Sequence, residues 1–220
     1  MQFRLCDESH QQDNREIIAI VASQNSLDNG CVPKQEWFVK KIIDHADGLV
    51  LDCGCGRGLW SRKLRETQHD VVGLDSSIRR LNMSKAEMNN PIVIRASCTH
   101  LPFRADCFSS VLLVEVIEHL DERDQIIVMQ EINRILAVGG VLIMTTPNKH
   151  IYRIATAIFF RHNPEHLNEL TYAEAKALVK SFFDIILIDG KVGGSGSILD
   201  HIPPYLCWDL LFVGRKRRAT

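Results

Sequence analysis

The sequence predicts an α/β fold in which a mostly parallel sheet is covered by helices on both faces. Short runs rich in β-branched residues alternate with amphipathic runs along most of the chain, an alternation typical of parallel sheets. Near the end, two strand-like runs are separated by a Gly/Ser loop at 193–197. Strands that are joined without a helix pair antiparallel, so we expect the last strand to oppose its neighbours.

The predicted elements follow one another from residue 49 to residue 213. A chain of 220 residues is long enough for one such domain and too short for two, so we expect a single domain over 1–220, with a helical lead-in at 1–35. Strands are expected at 49–53, 70–74, 92–96, 108–114, 140–145, 183–188 and 208–213. Helices are expected at 58–67, 76–88, 121–137 and 171–181.

Composition and charge argue against several classes of protein. The chain has 26 basic and 27 acidic residues, and its net charge of −1 offers no general attraction to nucleic acid or anionic membranes. Seven cysteines without a Cys-x-x-Cys pair fit reduced thiols better than a disulfide framework. The first residues soon turn polar, and no apolar run reaches membrane-spanning length. We therefore expect a cytoplasmic protein that binds no nucleic acid and spans no membrane.

The strongest motif runs from Val50 to Gly58, with the sequence Val-Leu-Asp-Cys-Gly-Cys-Gly-Arg-Gly. An apolar strand passes through Asp52 into three glycines, and a helix is predicted directly after them. Glycine lets the backbone turn sharply and approach a ligand closely, while the helix N-terminus offers amide donors to an anionic group. Cys53 and Cys55 form a lone Cys-x-Cys without further ligands at standard spacing, so no metal site is expected.

A second strand ends in an acid that indicates nucleoside recognition. Asp75 lies 23 residues after Asp52, at the place where a carboxylate can accept hydrogen bonds from ribose hydroxyls. Dinucleotide-binding turns use similar glycines, but their last glycine lies three residues beyond the second, and here that position is Leu59. NAD is therefore the weaker alternative for the ligand.

Taken in order, these motifs resemble those of the class I S-adenosylmethionine-dependent methyltransferases, in particular their broad small-molecule branch known as type 11. The resemblance covers roughly residues 36–214, the expected cofactor-binding core. It implies a Rossmann-like sheet of seven strands in the order 3-2-1-4-5-7-6, and an enzyme that converts S-adenosylmethionine to S-adenosylhomocysteine. The segments that carry it are Leu51-Asp-Cys-Gly-Cys-Gly-Arg-Gly, Val72-Gly-Leu-Asp-Ser-Ser, Leu101-Pro-Phe, Val114-Glu-Val-Ile-Glu-His-Leu, Glu131-Ile-Asn-Arg-Ile-Leu, Gly139-Gly-Val-Leu-Ile and Thr146-Pro-Asn.

The resemblance also implies which residues contact the cofactor. The glycine turn, with Asp52, Gly54 and Gly56, would hold the methionine end of S-adenosylmethionine. Asp75 would accept hydrogen bonds from the ribose, with Ser76 or Ser77 close by.

On the adenine side the chain departs from the family pattern. Relatives carry Asp four residues before the leucine of Leu-Pro-Phe, where it can accept a hydrogen bond from the adenine amino group, and this chain has Ser97 there, followed by Cys98. A serine hydroxyl can accept one hydrogen bond but supplies no charge. Val114 and Glu115 end the fourth strand, where doubly wound sheets open their ligand crevice, and would line the pocket.

Two histidines are candidates for catalysis. His119 follows the fourth strand, although in the resembling enzymes this histidine often braces a loop by hydrogen bonding. His166 lies in the segment 148–170, which leaves the fifth strand and is expected to cover the substrate opening. Because a hydroxyl or amine acceptor usually loses a proton, His166 is the leading candidate for a general base. The alternative is that His166 ties this segment to the sheet.

The sequence leaves the acceptor open. The sulfonium of S-adenosylmethionine is already electrophilic, so direct in-line transfer requires mainly alignment and the exclusion of water. A small-molecule acceptor is favoured, since the chain has no basic face and no added recognition domain. A methyltransferase of protein or RNA and a non-catalytic cofactor-binding relative remain as alternatives. The acceptor atom and the oligomeric state are not predicted.

Overall fold

The computed structural model describes residues 32–88, 91–158, 163–191 and 202–218. The predicted lead-in at 1–35 lies almost entirely outside the described residues, and the Gly/Ser loop at 193–197 lies wholly outside them. The strands are β1 Leu49–Cys53, β2 Asp70–Asp75, β3 Ile92–Arg95, β4 Phe108–Val114, β5 Leu136–Pro147, β6 Phe183–Lys191 and β7 Asp209–Lys216. The helices are α1 Val32–His45, α2 Leu59–Glu66, α3 Ile78–Glu87, α4 Glu122–Ile135, α5 Lys149–Ile158 and α6 Tyr172–Phe182, with 3₁₀ turns at Ile117–His119 and Pro204–Leu206.

The strands form one seven-stranded sheet in the order β3-β2-β1-β4-β5-β7-β6. The pairs β1–β2, β2–β3, β1–β4 and β4–β5 are parallel. β7 runs antiparallel to both β5 and β6. The predicted strand order and the predicted antiparallel last strand are confirmed. In this arrangement the carboxyl ends of β1, β2, β4 and β5 lie at one edge of the sheet.

The core fills both faces of the sheet because the central strands are buried on both sides. Leu51 and Leu113 belong to the hydrophobic cluster on one face, with Ile132 of α4. Val50 and Leu112, one position away in sequence, belong to the cluster on the other face. This alternation follows from the two-residue period of a strand. Over the described part of the chain, no helix combines the length and hydropathy that crossing a membrane requires.

The observed boundaries of helices and strands differ most from the predicted ones around β5. The helix predicted over 121–137 ends at Ile135, and the strand predicted over 140–145 extends over Leu136–Pro147. The early start is possible because Leu136 pairs with Phe108 before a register shift, and because Gly139 takes a φ of 81° that lets the strand bend. The helix predicted over 171–181 is present as α6, and its N-cap residue Thr171 forms a capping box with Glu174.

Candidate active site

The glycine turn follows β1 and is tied to β2 by backbone hydrogen bonds. The amides of Gly54 and Cys55 donate to the carbonyl oxygen of Leu74 at 2.7 and 2.9 Å. Gly54, Gly56 and Gly58 have φ angles of 82°, 55° and 82°, in the left-handed region that glycine enters without steric cost. The turn therefore needs glycine for its backbone shape, and it lies at the carboxyl edge of the sheet.

The space around the turn differs from one glycine to the next. A Cβ atom on Gly54 would lie 2.4 Å from Cγ2 of Val116, and one on Gly58 would lie 2.6 Å from Oγ of Ser84. A Cβ atom on Gly56 would meet nothing within 4 Å. The backbone at Gly56 thus faces open space, where a ligand can come within contact distance.

Asp52 is buried near the end of β1 and binds the first turn of α2. Its Oδ2 accepts hydrogen bonds from the amide of Ser61 at 2.9 Å and from the Ser61 hydroxyl at 2.6 Å. Burial raises the pKa of Asp52 to about 6, although the hydrogen bonds from Ser61 oppose this shift. Asp52 therefore joins β1 to α2 across the turn, a structural role that is compatible with the expected contact to the methionine end.

Asp75 lies beside the glycine turn because β1 and β2 are parallel neighbours. Its Oδ2 accepts a hydrogen bond from the amide of Gly56 at 2.9 Å, and its Oδ1 accepts one from the amide of Ser77 at 2.8 Å. Asp75 is only 5% exposed, whereas Ser76 is exposed next to it. The structure therefore brings two sequence-predicted residues, Gly56 and Asp75, into one site.

The chain after β3 places Ser97 and Cys98 close to the end of β2. The amide of Ala96 donates to the carbonyl oxygen of Asp75 at 3.3 Å. Ser97 is exposed, and its hydroxyl is hydrogen-bonded to that of Thr99 at 2.7 Å. Cys98 is half-buried, and burial raises the pKa of its thiol. The contact of Ser97 and Cys98 with adenine stays a prediction.

The end of β4 carries a strained residue. Val114 is buried, and the exposed Glu115 after it has a φ of 54°. A left-handed conformation costs a residue with a Cβ about 1–2 kcal/mol, and such strain is often found at functional sites. Oε1 of Glu115 accepts a hydrogen bond from the hydroxyl of Thr145 at 2.8 Å. Glu115 is thus held at the sheet edge where the pocket wall is expected.

Glu118, which the sequence analysis did not assign to the site, lies beside the two candidate histidines. It is 0% exposed, its Oε2 accepts a hydrogen bond from the hydroxyl of Thr146 at 3.1 Å, and its Oε1 has no hydrogen-bond partner among the described residues. Burial raises the pKa of Glu118 to about 7. Its backbone oxygen accepts hydrogen bonds from the amides of Leu167 at 2.9 Å and Asn168 at 3.1 Å. Glu118 therefore connects the 3₁₀ turn after β4 with the segment that precedes α6.

The two candidate histidines lie side by side, with ring centroids 5.0 Å apart. Nδ1 of His119 is 2.9 Å from the carbonyl oxygen of Glu165, and Nδ1 of His166 is 3.1 Å from Oε1 of Glu169. Carbonyl oxygens and ionised carboxylates only accept hydrogen bonds, so the ring nitrogen has to be the donor in both contacts. We therefore assign the proton to Nδ1 in both rings, which leaves the lone pair on Nε2. His166 is mostly buried, with 8% of its side chain exposed. Its ring packs on the ring of Tyr152, with the two ring centroids 5.2 Å apart.

The sheet order, the glycine turn after β1 and the buried acid after β2 are the features that the sequence resemblance implies for a class I S-adenosylmethionine-dependent methyltransferase domain. Residues 51–144 match the family model described as a methyltransferase domain. The class inferred from the sequence and its cofactor, S-adenosylmethionine, are confirmed.

Known proteins resemble this chain over part or most of its length. It is 28% identical over 159 residues to a probable S-adenosylmethionine-dependent methyltransferase of Mycolicibacterium smegmatis, covering 69% of this chain and 60% of the relative. It is 30% identical over 122 residues to a ubiquinone biosynthesis O-methyltransferase of Rhizobium etli, covering 53% of this chain and 48% of the relative. The chain thus spans about half the length of the curated relatives it matches.

A solved S-adenosylmethionine-dependent methyltransferase of Mesorhizobium loti has the same fold. It superimposes with a TM-score of 0.64 at 17% identity, over 83% of this chain and 97% of that chain. At this identity the likeness concerns the fold alone.

Proposed function

We propose that this protein transfers the methyl group of S-adenosylmethionine directly to a hydroxyl group of a small molecule. The observation that carries the proposal is the hydrogen bond between Gly56 and Asp75, which joins the glycine turn to the buried acid beside open space. An adenosine with an amino-acid tail fits such a site, because the carboxylate suits ribose hydroxyls and the open glycine backbone suits the tail. The names of several relatives as O-methyltransferases support a hydroxyl acceptor.

In this proposal S-adenosylmethionine lies along the carboxyl edge of the sheet. The cofactor supplies a methyl group on a positively charged sulfur, so the protein has to orient the acceptor and exclude water. We assign the methionine end to Asp52, Gly54 and Gly56, and the ribose to Asp75 and Ser76. We assign the adenine to Ser97 and Cys98, and the pocket wall to Val114 and Glu115.

We assign activation of the acceptor to His166. Its Nδ1 donates to Glu169, which fixes the ring and keeps the lone pair on Nε2. An imidazole oriented by a carboxylate is suited to assist the removal of a hydroxyl proton. His119 packs against His166 and is tied to the same segment through the carbonyl of Glu165. We assign His119 to the same site as a supporting residue.

The experiment that tests the function is a screen with S-adenosylmethionine labelled in the methyl group. Hydroxylated small molecules, amines, thiols, protein and RNA are offered separately. Label in hydroxylated small molecules supports the proposal, whereas label only in protein or RNA identifies a macromolecular methyltransferase and contradicts it. Cofactor binding without transfer to any acceptor would favour the non-catalytic alternative.

The first prediction concerns ligand choice. The protein should bind S-adenosylmethionine and S-adenosylhomocysteine but not NAD, because position 59 is Leu and the dinucleotide spacing of glycines is absent. Isothermal titration calorimetry with the three compounds measures this directly. Binding of NAD alone would contradict the assignment.

The second prediction compares two glycines of the turn. Gly54→Ala and Gly56→Ala each place a Cβ at positive φ, which costs about 1–2 kcal/mol. Gly54→Ala should lose a further ~1–3 kcal/mol of unfolding free energy, since its Cβ would overlap Val116. Gly56→Ala should instead weaken cofactor binding, because its Cβ would enter the open space. Urea unfolding and calorimetry separate the two effects, and equal stability of the two variants would contradict the packing argument.

A further inference from the structure

A polar groove of about 530 Å³ runs between helix α4 and the loop that follows β3. Its lining includes, from the loop and then from the helix, Thr99, His100, Leu101, Asp124, Ile127 and Glu131. The loop wall begins directly after Ser97 and Cys98, the two residues that we assign to the adenine. The groove therefore adjoins the adenine end of the proposed cofactor site.

Two side chains of α4 hold the loop against the helix. Oε2 of Glu131 accepts a hydrogen bond from the amide of Leu101 at 2.9 Å. The guanidinium of Arg134 donates to the carbonyl oxygens of Leu101 at 3.0 Å and Phe103 at 2.7 Å. Hydrogen bonds with an ionised partner are stronger than neutral ones, so the two walls form one unit. Asp124 lies seven residues before Glu131, about two helical turns away on the same face, and therefore belongs to the wall that meets the loop.

The carboxylate of Asp124 is still available to a ligand. The residue is half-buried, and over the described part of the chain its side chain has no hydrogen bond and no ion pair. Only its backbone amide is bonded, to Oδ1 of Asp121 at 2.8 Å. A carboxylate that has lost part of its hydration without gaining a donor is stabilised by a ligand N–H that reaches it. Glu131, the other acid of the groove, is already bonded to Leu101 and Arg134.

Asp124 also acts on the adenine side of the site through its charge. Burial is the main cause that raises the pKa of the Cys98 thiol, and among the neighbouring carboxylates Asp124 raises this pKa more than Asp75 does. The effect of a charge weakens with distance. The charge of Asp124 therefore reaches Cys98 at least as strongly as that of the acid assigned to the ribose.

Ser97 has little capacity left for the adenine amino group. Its hydroxyl is bonded to the hydroxyl of Thr99 at 2.7 Å and accepts from the amide of Thr99 at 3.2 Å. A hydroxyl has two acceptor lone pairs, so these contacts leave at most one of them free. The adenine amino group carries two N–H donors. An acceptor on the facing wall of the groove would satisfy the second N–H.

We propose that Asp124 recognises the adenine amino group of S-adenosylmethionine by accepting a hydrogen bond from it on the α4 side of the groove. The inference rests on the proposed cofactor site and makes Asp124 a specificity-determining residue of that site. Where relatives carry an aspartate this chain has Ser97, and Asp124 supplies the carboxylate from the other wall. The competing explanation is that an acid in the first turn of a helix only stabilises the helix dipole. Such an acid affects stability, but not the choice between ligands that differ in one amino group.

Binding of two ligands that differ only at the amino group tests the proposal. S-adenosylhomocysteine and its deamino analogue, in which a hydrogen atom replaces the adenine amino group, are titrated into the full chain by calorimetry. The wild type should bind S-adenosylhomocysteine about tenfold or more tightly than the analogue, since a hydrogen bond to a charged acceptor is worth at least about this factor. In Asp124→Ala the preference should fall to about threefold or less, the scale of one weak neutral hydrogen bond. Asp124→Asn keeps an uncharged acceptor, so its preference should lie between the two.

Glu122→Ala is the matched control, because it removes an exposed acid from the same first turn of α4 and should keep the full preference. An unchanged preference in Asp124→Ala overturns the proposal, and so does an equal loss in Glu122→Ala. A preference that disappears only in Ser97→Ala assigns the amino group to Ser97 and overturns it as well. If Asp124→Ala does not fold by circular dichroism, Asp124→Asn carries the test.

The same titrations separate this inference from the proposed function. If the wild type binds neither ligand, the cofactor site and the role of Asp124 are both wrong. A preference that depends on Asp124, found together with no methyl transfer to any acceptor, supports the role of Asp124 and contradicts the proposed function alone.

Discussion

His166→Ala should lower turnover of a hydroxyl acceptor on the order of a hundredfold, while affinity for S-adenosylmethionine stays nearly unchanged. Proton removal by a positioned group contributes typically about 10²–10⁴-fold to rate, so loss of the base should slow the chemical step. The residues assigned to the cofactor lie around the glycine turn and Asp75, and His166 packs instead on His119 and Tyr152. Single-turnover kinetics and calorimetry on the same variant measure the two quantities separately.

The competing interpretation of His166 is structural, and it predicts a different pattern. If His166 only ties the segment 163–170 to the sheet, its loss should lower thermal stability and raise the acceptor KM, with the rate at saturation largely preserved. His150→Ala, which changes an exposed histidine near the start of the covering segment 148–170, is the control for a general effect of removing an imidazole. Turnover within about twofold of wild type at saturating acceptor would remove His166 from catalysis.

Asp75→Ala should weaken binding of S-adenosylmethionine by about 1.5–3 kcal/mol, because hydrogen bonds to a charged acceptor are worth about this much. At about 1.4 kcal/mol for each factor of ten, this is a loss of about 10–150-fold in affinity. The carboxylate also accepts hydrogen bonds from Gly56 and Ser77, so part of the loss will come from a less ordered turn. Calorimetry with S-adenosylhomocysteine, which lacks the sulfonium charge, should give a similar loss.

Asp70→Ala is the matched control for this change. Asp70 begins the same strand that Asp75 ends, and it is exposed at the opposite edge of the sheet. Its replacement removes the same side chain and the same charge without touching the site, so cofactor affinity should not change. Equal losses in both variants would indicate a long-range charge effect, and unchanged affinity in Asp75→Ala would remove Asp75 from the site.

The shape of the glycine turn and its contact with Asp75 were predictable because their signals are local in sequence. Glycines at 54, 56 and 58 predict a sharp backbone turn, and all three have a positive φ angle. The acid that ends β2 meets this turn because adjacent parallel strands end at the same edge, so strand order and the position of Asp75 sufficed to place it. The predicted start of α6 at Thr171 was local in the same way.

What the sequence by itself determined is therefore the fold class, the strand order through the family resemblance, and the residues of the glycine turn and its partner acid. Only the tertiary structure decided that Glu118 is fully buried beside His119 and His166, and that Glu169 orients the His166 ring. The physical reason is that burial and contacts between distant segments depend on how the segment before α6 docks on the turn after β4. No periodicity or spacing within either segment encodes that docking. Two of its hydrogen bonds run to the backbone oxygen of Glu118, which every residue type possesses, and another joins the His119 side chain to the backbone oxygen of Glu165, 46 residues away.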